Sequence, residues 1–451
     1  MSAKKNLALL MAWAGLLPIA AQGAPAAFPL KASADHRYLV DQNNQPFLLI
    51  GDSPWSIIVQ PSPAEVDHYL ENRAAKGFNA MLVNLLEHKF STQAPNMSNG
   101  TPPFTASGDF ATPNDAYFCY AEEVIDKAAK KGFVLLLCPA YLGYEGKDEG
   151  FFQEMVRCGP EKVRAYGRYV GKRFRSHPNI IWVVGGDFTP PRNMRWTVDE
   201  LAAGILEEDR THLMTVHCGR GGAAATQYPE RSWLQLNDTY VYRDDLYGFF
   251  VEPDQCVPRL PCFLIETCYE GEHQSTPDQI RRQAYWPLLC GQCGFDYGNS
   301  PLWHFGSIGV YDKGGDWVAA MDSRGGRDMA HAAAAFRDRP WWKLRPDYTH
   351  NVVTAGYGDF GKTNYVVTAR STDGKLAMSY LASTGTGSRE LTIDMSQLAG
   401  PVAASWYNPT DGGLVPVSGS PFANSGSRQI KSPGDNGAGA NDWLLILETR
   451  D

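Results

Sequence analysis

The sequence predicts an α/β fold, a (β/α)8 TIM barrel followed by a small all-β sandwich. Three observations lead there. Short apolar runs alternate with helical patterns through the first three quarters of the chain. Two of these runs end in a carboxylic acid, Ile180-Ile181-Trp182-Val183-Val184-Gly185-Gly186-Asp187 and Phe263-Leu264-Ile265-Glu266. From about Leu344 onward helical periodicity gives way to alternating runs between Gly- and Ser-rich turns. With 451 residues the chain is too long for one ordinary core and accommodates a barrel of about 250 residues or more plus a second domain.

The first apolar run, Pro46 to Ile50, leads through Gly51-Asp52-Ser53-Pro54-Trp55 to a helix beginning near Ser62, where Pro63-Ala64-Glu65 supplies a favourable first turn. Ala80 to Leu85 is the second run. The stretch from Glu87 to Asp115 that follows is rich in Pro, Gly, Ser and Thr and too long for a plain connector, so it is expected to fold over the active face. Val134 to Leu137, Ile180 to Val184, Leu213 to His217, Trp233 to Leu236, Phe263 to Ile265 and Gly294 to Tyr297 supply the third to eighth runs. Eight runs fit a closed barrel; a doubly wound open sheet gives a similar pattern and is the alternative. The closing helix includes Met329 to Phe336, and the barrel domain is assigned to residues 24–343. Residues 344–451 form the β-module, with Tyr365 to Ala369 and Lys375 to Leu381 as its clearest strands.

Residues 1–23 read as a signal peptide: Lys4 and Lys5 precede the apolar stretch Leu7 to Ala21, and small residues follow at the cleavage positions. Export to the periplasm or the extracellular space is expected, with no stable membrane insertion after processing. Nine cysteines leave at least one unpaired within the chain; Cys256 and Cys262 bracket a short loop and are a candidate disulfide in an oxidising compartment. Cys290 and Cys293 form a C-x-x-C without a second ligand pair, so neither a metal site nor a cofactor is expected. A net charge of -8 argues against nucleic acid as a partner, whereas the 12% aromatic content suits stacking on sugar faces. Oligomeric state is not encoded in any feature of the chain.

Strand ends in a βα-repeated barrel converge on one face, so Asp187 and Glu266 are expected to enter one pocket. Two acids in one pocket point to glycoside hydrolysis, one protonating the leaving oxygen and the other attacking or activating water. Competing structural readings exist. Asp is a preferred helix N-cap, although Asp187-Phe188-Thr189-Pro190-Pro191 is a poor helix start. Glu266 closes an apolar run, where a charge is costly unless it faces a polar cavity. Glu270 and Glu272 follow closely, and a shift of the strand end by a few residues would make either one the nucleophile. Around the pair, Asp52, Trp55, Asn84, Tyr141, His217, Tyr297, Asn299 and Trp303 lie at or just beyond strand ends and are candidate substrate-binding residues, each with a packing or hydrogen-bonding alternative.

Tyr38-Leu39-Val40-Asp41, Phe47 through Trp55, Gly77-Phe78-Asn79-Ala80-Met81-Leu82-Val83-Asn84, the run ending at Asp187 and Ile265-Glu266 together resemble the apiosidase-like glycoside hydrolases. That family joins a (β/α)8 catalytic domain to a C-terminal β-module of collagen-binding type, the order seen here. The resemblance implies Asp187 as acid/base and Glu266 as nucleophile, and apiosyl-linked side chains of pectin as substrate; the placement of the acids after the fourth and seventh strands favours retention, which the separation of the two groups decides. A non-catalytic carbohydrate or matrix binder on a barrel scaffold is the competing class, and a lyase using a Tyr or His base a third.

Overall fold

In the computed structural model, residues 25–251, 260–307 and 315–449 are described. The signal-peptide residues, and Cys256 of the candidate disulfide, lie outside the described residues. Eight parallel strands form the central sheet: β1 (Leu49–Asp52), β2 (Ala80–Asn84), β3 (Val134–Cys138), β4 (Ile180–Gly185), β5 (Met214–His217), β6 (Asn237–Tyr240), β7 (Cys262–Glu266) and β8 (Gly294–Tyr297). Their order, β5-β4-β3-β2-β1-β8-β7-β6, is cyclic, which excludes the doubly wound alternative. The seam between β5 and β6 is closed by a few polar contacts: Gln235 N–H donates to the Met214 carbonyl at 2.9 Å, and Thr215 Oγ1 donates to the Leu236 carbonyl at 3.0 Å. β2, β3, β4 and β7 are buried along their whole length, which explains their near-continuous apolar sequences.

Two expected strands move. Pro46–Phe47 belongs to a small antiparallel sheet with Lys31–Ala32 and Leu39–Val40, and β1 starts at Leu49. The sixth strand is Asn237–Tyr240, not the expected Trp233 to Leu236. Apolarity misdirects here: Trp233, Leu234 and Leu236 are buried in the connecting loop, while β6 itself is made of the buried polar residues Asn237, Asp238 and Thr239 followed by Tyr240.

The first helix, Pro63–Ala75, is set by a capping box: the Ser62 side chain accepts from Glu65 N–H and the Glu65 carboxylate from Ser62 N–H. Such a cap contributes about 1 kcal/mol. The segment after β2 is organised by Glu87, whose carboxylate accepts from the amides of His88, Lys89 and Phe90 and from Ser56 Oγ. A buried carboxylate with that many donors pins the loop and aims Phe90 at the top of the barrel.

Beyond the helix Arg324–Arg337 the chain enters a six-stranded antiparallel sheet, ordered Leu344–Pro346, Val366–Ser371, Leu376–Leu381, Trp443–Thr449, Val402–Tyr407 and Leu414–Pro416. A three-stranded sheet of Val353–Ala355, Glu390–Asp394 and Ser427–Lys431 faces it. Period-two alternation divides the large sheet between two cores. Val366, Ala377, Leu381, Leu445 and Leu447 pack toward the small sheet, whereas Val367, Leu376, Met378, Tyr380, Leu444 and Ile446 join the barrel core. At that junction Tyr285 stacks on Tyr380, ring centroids 4.5 Å apart, and buried Arg281 donates to both oxygens of Asp442 at 2.5 and 2.8 Å and to Asp328 at 2.9 Å. Among the described residues no helix is long and apolar enough to cross a membrane.

Candidate active site

The carboxyl ends of the strands surround a cavity of about 580 Å³. Asp187 and Glu266 both line it, as do Trp55, Asn84, Tyr141 and Trp303 among the expected residues. Asp187 reaches it because β4 ends in two glycines that no other residue could replace cheaply. Gly185 has φ +89° and a Cβ there would lie 2.6 Å from the His217 carbonyl; Gly186 has φ +126° and its Cβ would lie 2.3 Å from Tyr141 Cδ2. Asp187 itself is left-handed, φ +51°, a conformation that Asp tolerates better than most residues.

The two acids occupy different settings. Tyr141 OH donates to Asp187 Oδ2 at 3.3 Å, and Asp187 Oδ1 is buried without a hydrogen-bond partner. Burial, then the charge of Glu266, pushes the Asp187 carboxyl up to about 7, against the opposing pull of His217, Tyr240 and Arg220. Glu266 closes β7 with Oε2 held 2.8 Å from His217 Nε2. His217 is wholly buried; burial opposes its charge, but the hydrogen bond and charge of Glu266, with Asp238 and Asp187, raise it to about 9. It lies beneath the acids instead of lining the cavity, so its expected contact with substrate is replaced by a contact with Glu266.

Three other expected residues stay out of the cavity wall. Asp52 is turned the other way, accepting from Tyr69 OH at 2.5 Å and Arg73 Nε at 2.6 Å in a buried ion pair. Tyr297 and Asn299 point to Glu270, which also accepts from Ser323 Oγ at 2.7 Å and Gly325 N–H at 2.9 Å. Glu270 is thereby tied to the start of the helix Arg324–Arg337 and does not line the cavity, while Glu272 does. The polar strand ends of β1 and β8 read as sugar ligands in the sequence; an internal ion pair at Asp52 and a hydrogen-bonded cluster around Glu270 use the same residue types.

Sequence reasoning missed Tyr240, Tyr242, Tyr269 and Arg220, all on the wall. Tyr269 OH accepts from Trp55 Nε1 at 2.8 Å, fixing the indole, and the Arg220 guanidinium lies 4.2 Å over the Tyr242 ring. Tyr240 and Tyr242 would have been found had the sixth strand been placed at Asn237. Asn84 Oδ1 is buried without a partner, an acceptor free for a sugar hydroxyl, and Trp303 packs edge-on to Phe90 at 4.9 Å. Among the described residues no group of three or more His, Cys, Asp and Glu is arranged to hold a metal ion.

Known proteins match this arrangement. The sequence model of the family described as "Apiosidase-like, catalytic domain" matches residues 33–343, and that described as "Putative collagen-binding domain of a collagenase" matches 352–448. A glycoside hydrolase family 5 structure from Bacteroides vulgatus ATCC 8482 superposes with a TM-score of 0.79 at 24% identity, covering 93% of each chain. A structure described as "Glycoside hydrolase" does so with a TM-score of 0.80 at 24% identity, over 94% of this chain and 98% of its own. At such identities the likeness is one of fold, and it extends over both barrel and β-module. No curated protein matches. With more than half of its length matched by the catalytic-domain model, and an eight-stranded barrel bearing two acids in one cavity, the chain belongs to the apiosidase-like family and is a glycoside hydrolase.

Proposed function

We propose that the protein is an exported, retaining glycoside hydrolase that removes apiosyl-linked side chains from pectic polysaccharide, with Asp187 as acid/base and Glu266 as nucleophile. The observation that carries this reading is the contrast between two carboxyl groups on one cavity. Asp187, pushed up to about 7, keeps its proton near neutrality, as an acid for the leaving oxygen must. Glu266 is gripped at one oxygen by His217 and presents the other to the cavity it lines. In the first step the Asp187 proton passes to the glycosidic oxygen as Glu266 bonds to the anomeric carbon, giving a glycosyl ester and a free alcohol. In the second, Asp187 takes a proton from water, whose oxygen displaces Glu266. Trp55, Tyr141 and Trp303 supply ring faces, and Asn84 a hydroxyl partner. The family supports apiose in pectin as the sugar, and the apolar leader Leu7 to Ala21 supports export.

Asp187→Ala and Glu266→Ala variants, assayed on pectin-derived oligosaccharides with product identification, test the assignment. Each is expected to lose about 10²-fold or more in turnover. Unchanged hydrolysis in both would remove the assignment. The anomeric configuration of the first product, followed by NMR, tests retention.

A further inference from the structure

His217 touches both acids through different ring nitrogens. Nε2 faces Glu266 Oε2 at 2.8 Å, and Nδ1 faces two groups of opposite kind: the N–H of Asp187 at 3.2 Å, a donor, and the carbonyl of Cys218 at 2.9 Å, an acceptor. One nitrogen cannot satisfy both at once. Bearing a proton, Nδ1 donates to Cys218 and turns an N–H against that of Asp187; without one, it accepts from Asp187 and leaves Cys218 unserved.

We infer that His217 is a positioning residue that couples the charge on Glu266 to the backbone of Asp187. With Glu266 ionised, the ring is an imidazolium, Nε2–H donating to Glu266 and Nδ1–H to Cys218. When Glu266 loses its charge, as in the glycosyl ester, the ring is neutral with its proton on Nε2, one proton having gone to solvent, and Nδ1 grips the amide of Asp187. The left-handed backbone of Asp187, φ +51°, is thus fastened in the half-reaction in which Asp187 must act as base. The groups facing the ring make it responsive. They are Glu266 on β7, Asp187 beyond β4, Asp238 and Tyr240 on β6 and the adjacent Cys218, whose thiol burial pushes well up, with Trp55 5.9 Å away as an uncharged neighbour. Asp238 Oδ2 lies 3.1 Å from Thr215 Oγ1, and burial pushes its carboxyl up to about 7. Glu266 is the only one of these hydrogen-bonded to Nε2, so its charge dominates the ring.

This inference rests on the assignment of Asp187 and Glu266 for its catalytic meaning, but its test needs no substrate. Ring nitrogens of ¹⁵N-histidine-labelled protein are followed by NMR in wild type and Glu266→Gln, with His217→Gln identifying the resonance. Wild type at neutral pH is expected to show both nitrogens protonated, and Glu266→Gln a neutral ring with Nδ1 unprotonated. In wild type alone, raising the pH through about 9 is expected to deprotonate Nδ1 and shift the Asp187 amide proton with the same midpoint. A neutral ring in wild type at neutral pH, an imidazolium or Nδ1–H ring in Glu266→Gln, or an Asp187 amide that ignores the titration would each overturn it. Failure of the hydrolysis assays leaves these readouts intact, so the two claims fail separately.

Discussion

Gly186→Ala tests how the strand end delivers Asp187. At φ +126° an alanine sits in a region that is essentially glycine's, at about 1–3 kcal/mol. Its Cβ would also lie 2.3 Å from Tyr141 Cδ2, 3.0 Å from Cε2 and 3.1 Å from the Leu142 amide nitrogen. Relief to ordinary carbon contact, about 3.5 Å, requires a movement of roughly 1 Å. Tyr141 is the hydroxyl donor to Asp187, so that movement falls on the contact between them. A displacement of that size at a catalytic group costs on the order of 10²-fold in rate. Gly132→Ala is the control: φ is +82°, nothing lies within 4 Å of its Cβ, and it sits at the turn after a helix distant in sequence from the acids, so only backbone strain of about 1–2 kcal/mol is expected. Turnover and urea unfolding are measured for both. Gly186→Ala is expected to lose activity by about two orders of magnitude, and Gly132→Ala to lose stability alone. A Gly186→Ala enzyme with more than about a third of wild-type turnover would refute the reasoning.

Four further outcomes follow from contacts described above. Because burial and the charge of Glu266 push Asp187 up to about 7, kcat/KM should fall above roughly that pH as the acid loses its proton; a rate profile flat to about pH 9 would contradict the role. The same group binds its proton more tightly folded than unfolded, so its contribution to stability is full below its ordinary 3.8 and vanishes as pH rises through about 7. Asp442→Ala strips Arg281 of its two-oxygen partner, leaves Tyr380 OH without its acceptor and takes from Asn436 its carboxylate partner, which should cost about 3–5 kcal/mol in urea unfolding; a loss under about 1 kcal/mol would mean the junction relaxes around it. Asp52→Asn should destabilise by a similar amount through Arg73 while leaving KM within about twofold, and a tenfold rise in KM would return Asp52 to the sugar site.

The fold was legible because burial on both faces leaves unbroken apolar runs, as in Val134–Cys138 and Ile180–Gly185, and because the acids end two of them. The same logic failed at Asn237–Tyr240, where the inside of a barrel near its mouth is polar and the neighbouring loop is the apolar segment. Trp55, Asn84, Tyr141 and Trp303 were found from position alone. Asp52, Tyr297 and Asn299 were not distinguishable from them, since their partners Arg73 and Glu270 come from a helix and a loop that only three-dimensional packing brings near. Tyr240 and Tyr242 were hidden by the misplaced sixth strand, and Arg220 carries no local signal in its loop of unremarkable composition.

The shared core between barrel and β-module bears on how a carbohydrate would meet the cavity. A binding module on a flexible tether samples a volume and raises the local concentration of every bond within its reach. Here alternate residues of one sheet are sealed against the barrel, Leu344 begins the sheet directly after the short helical turn Trp341–Lys343, and Arg281 clasps Asp442 across the join. Were a carbohydrate chain held by the β-module, this shared core would present it to the cavity at one spacing and one angle, and the module would then act as a ruler for which linkage is cut.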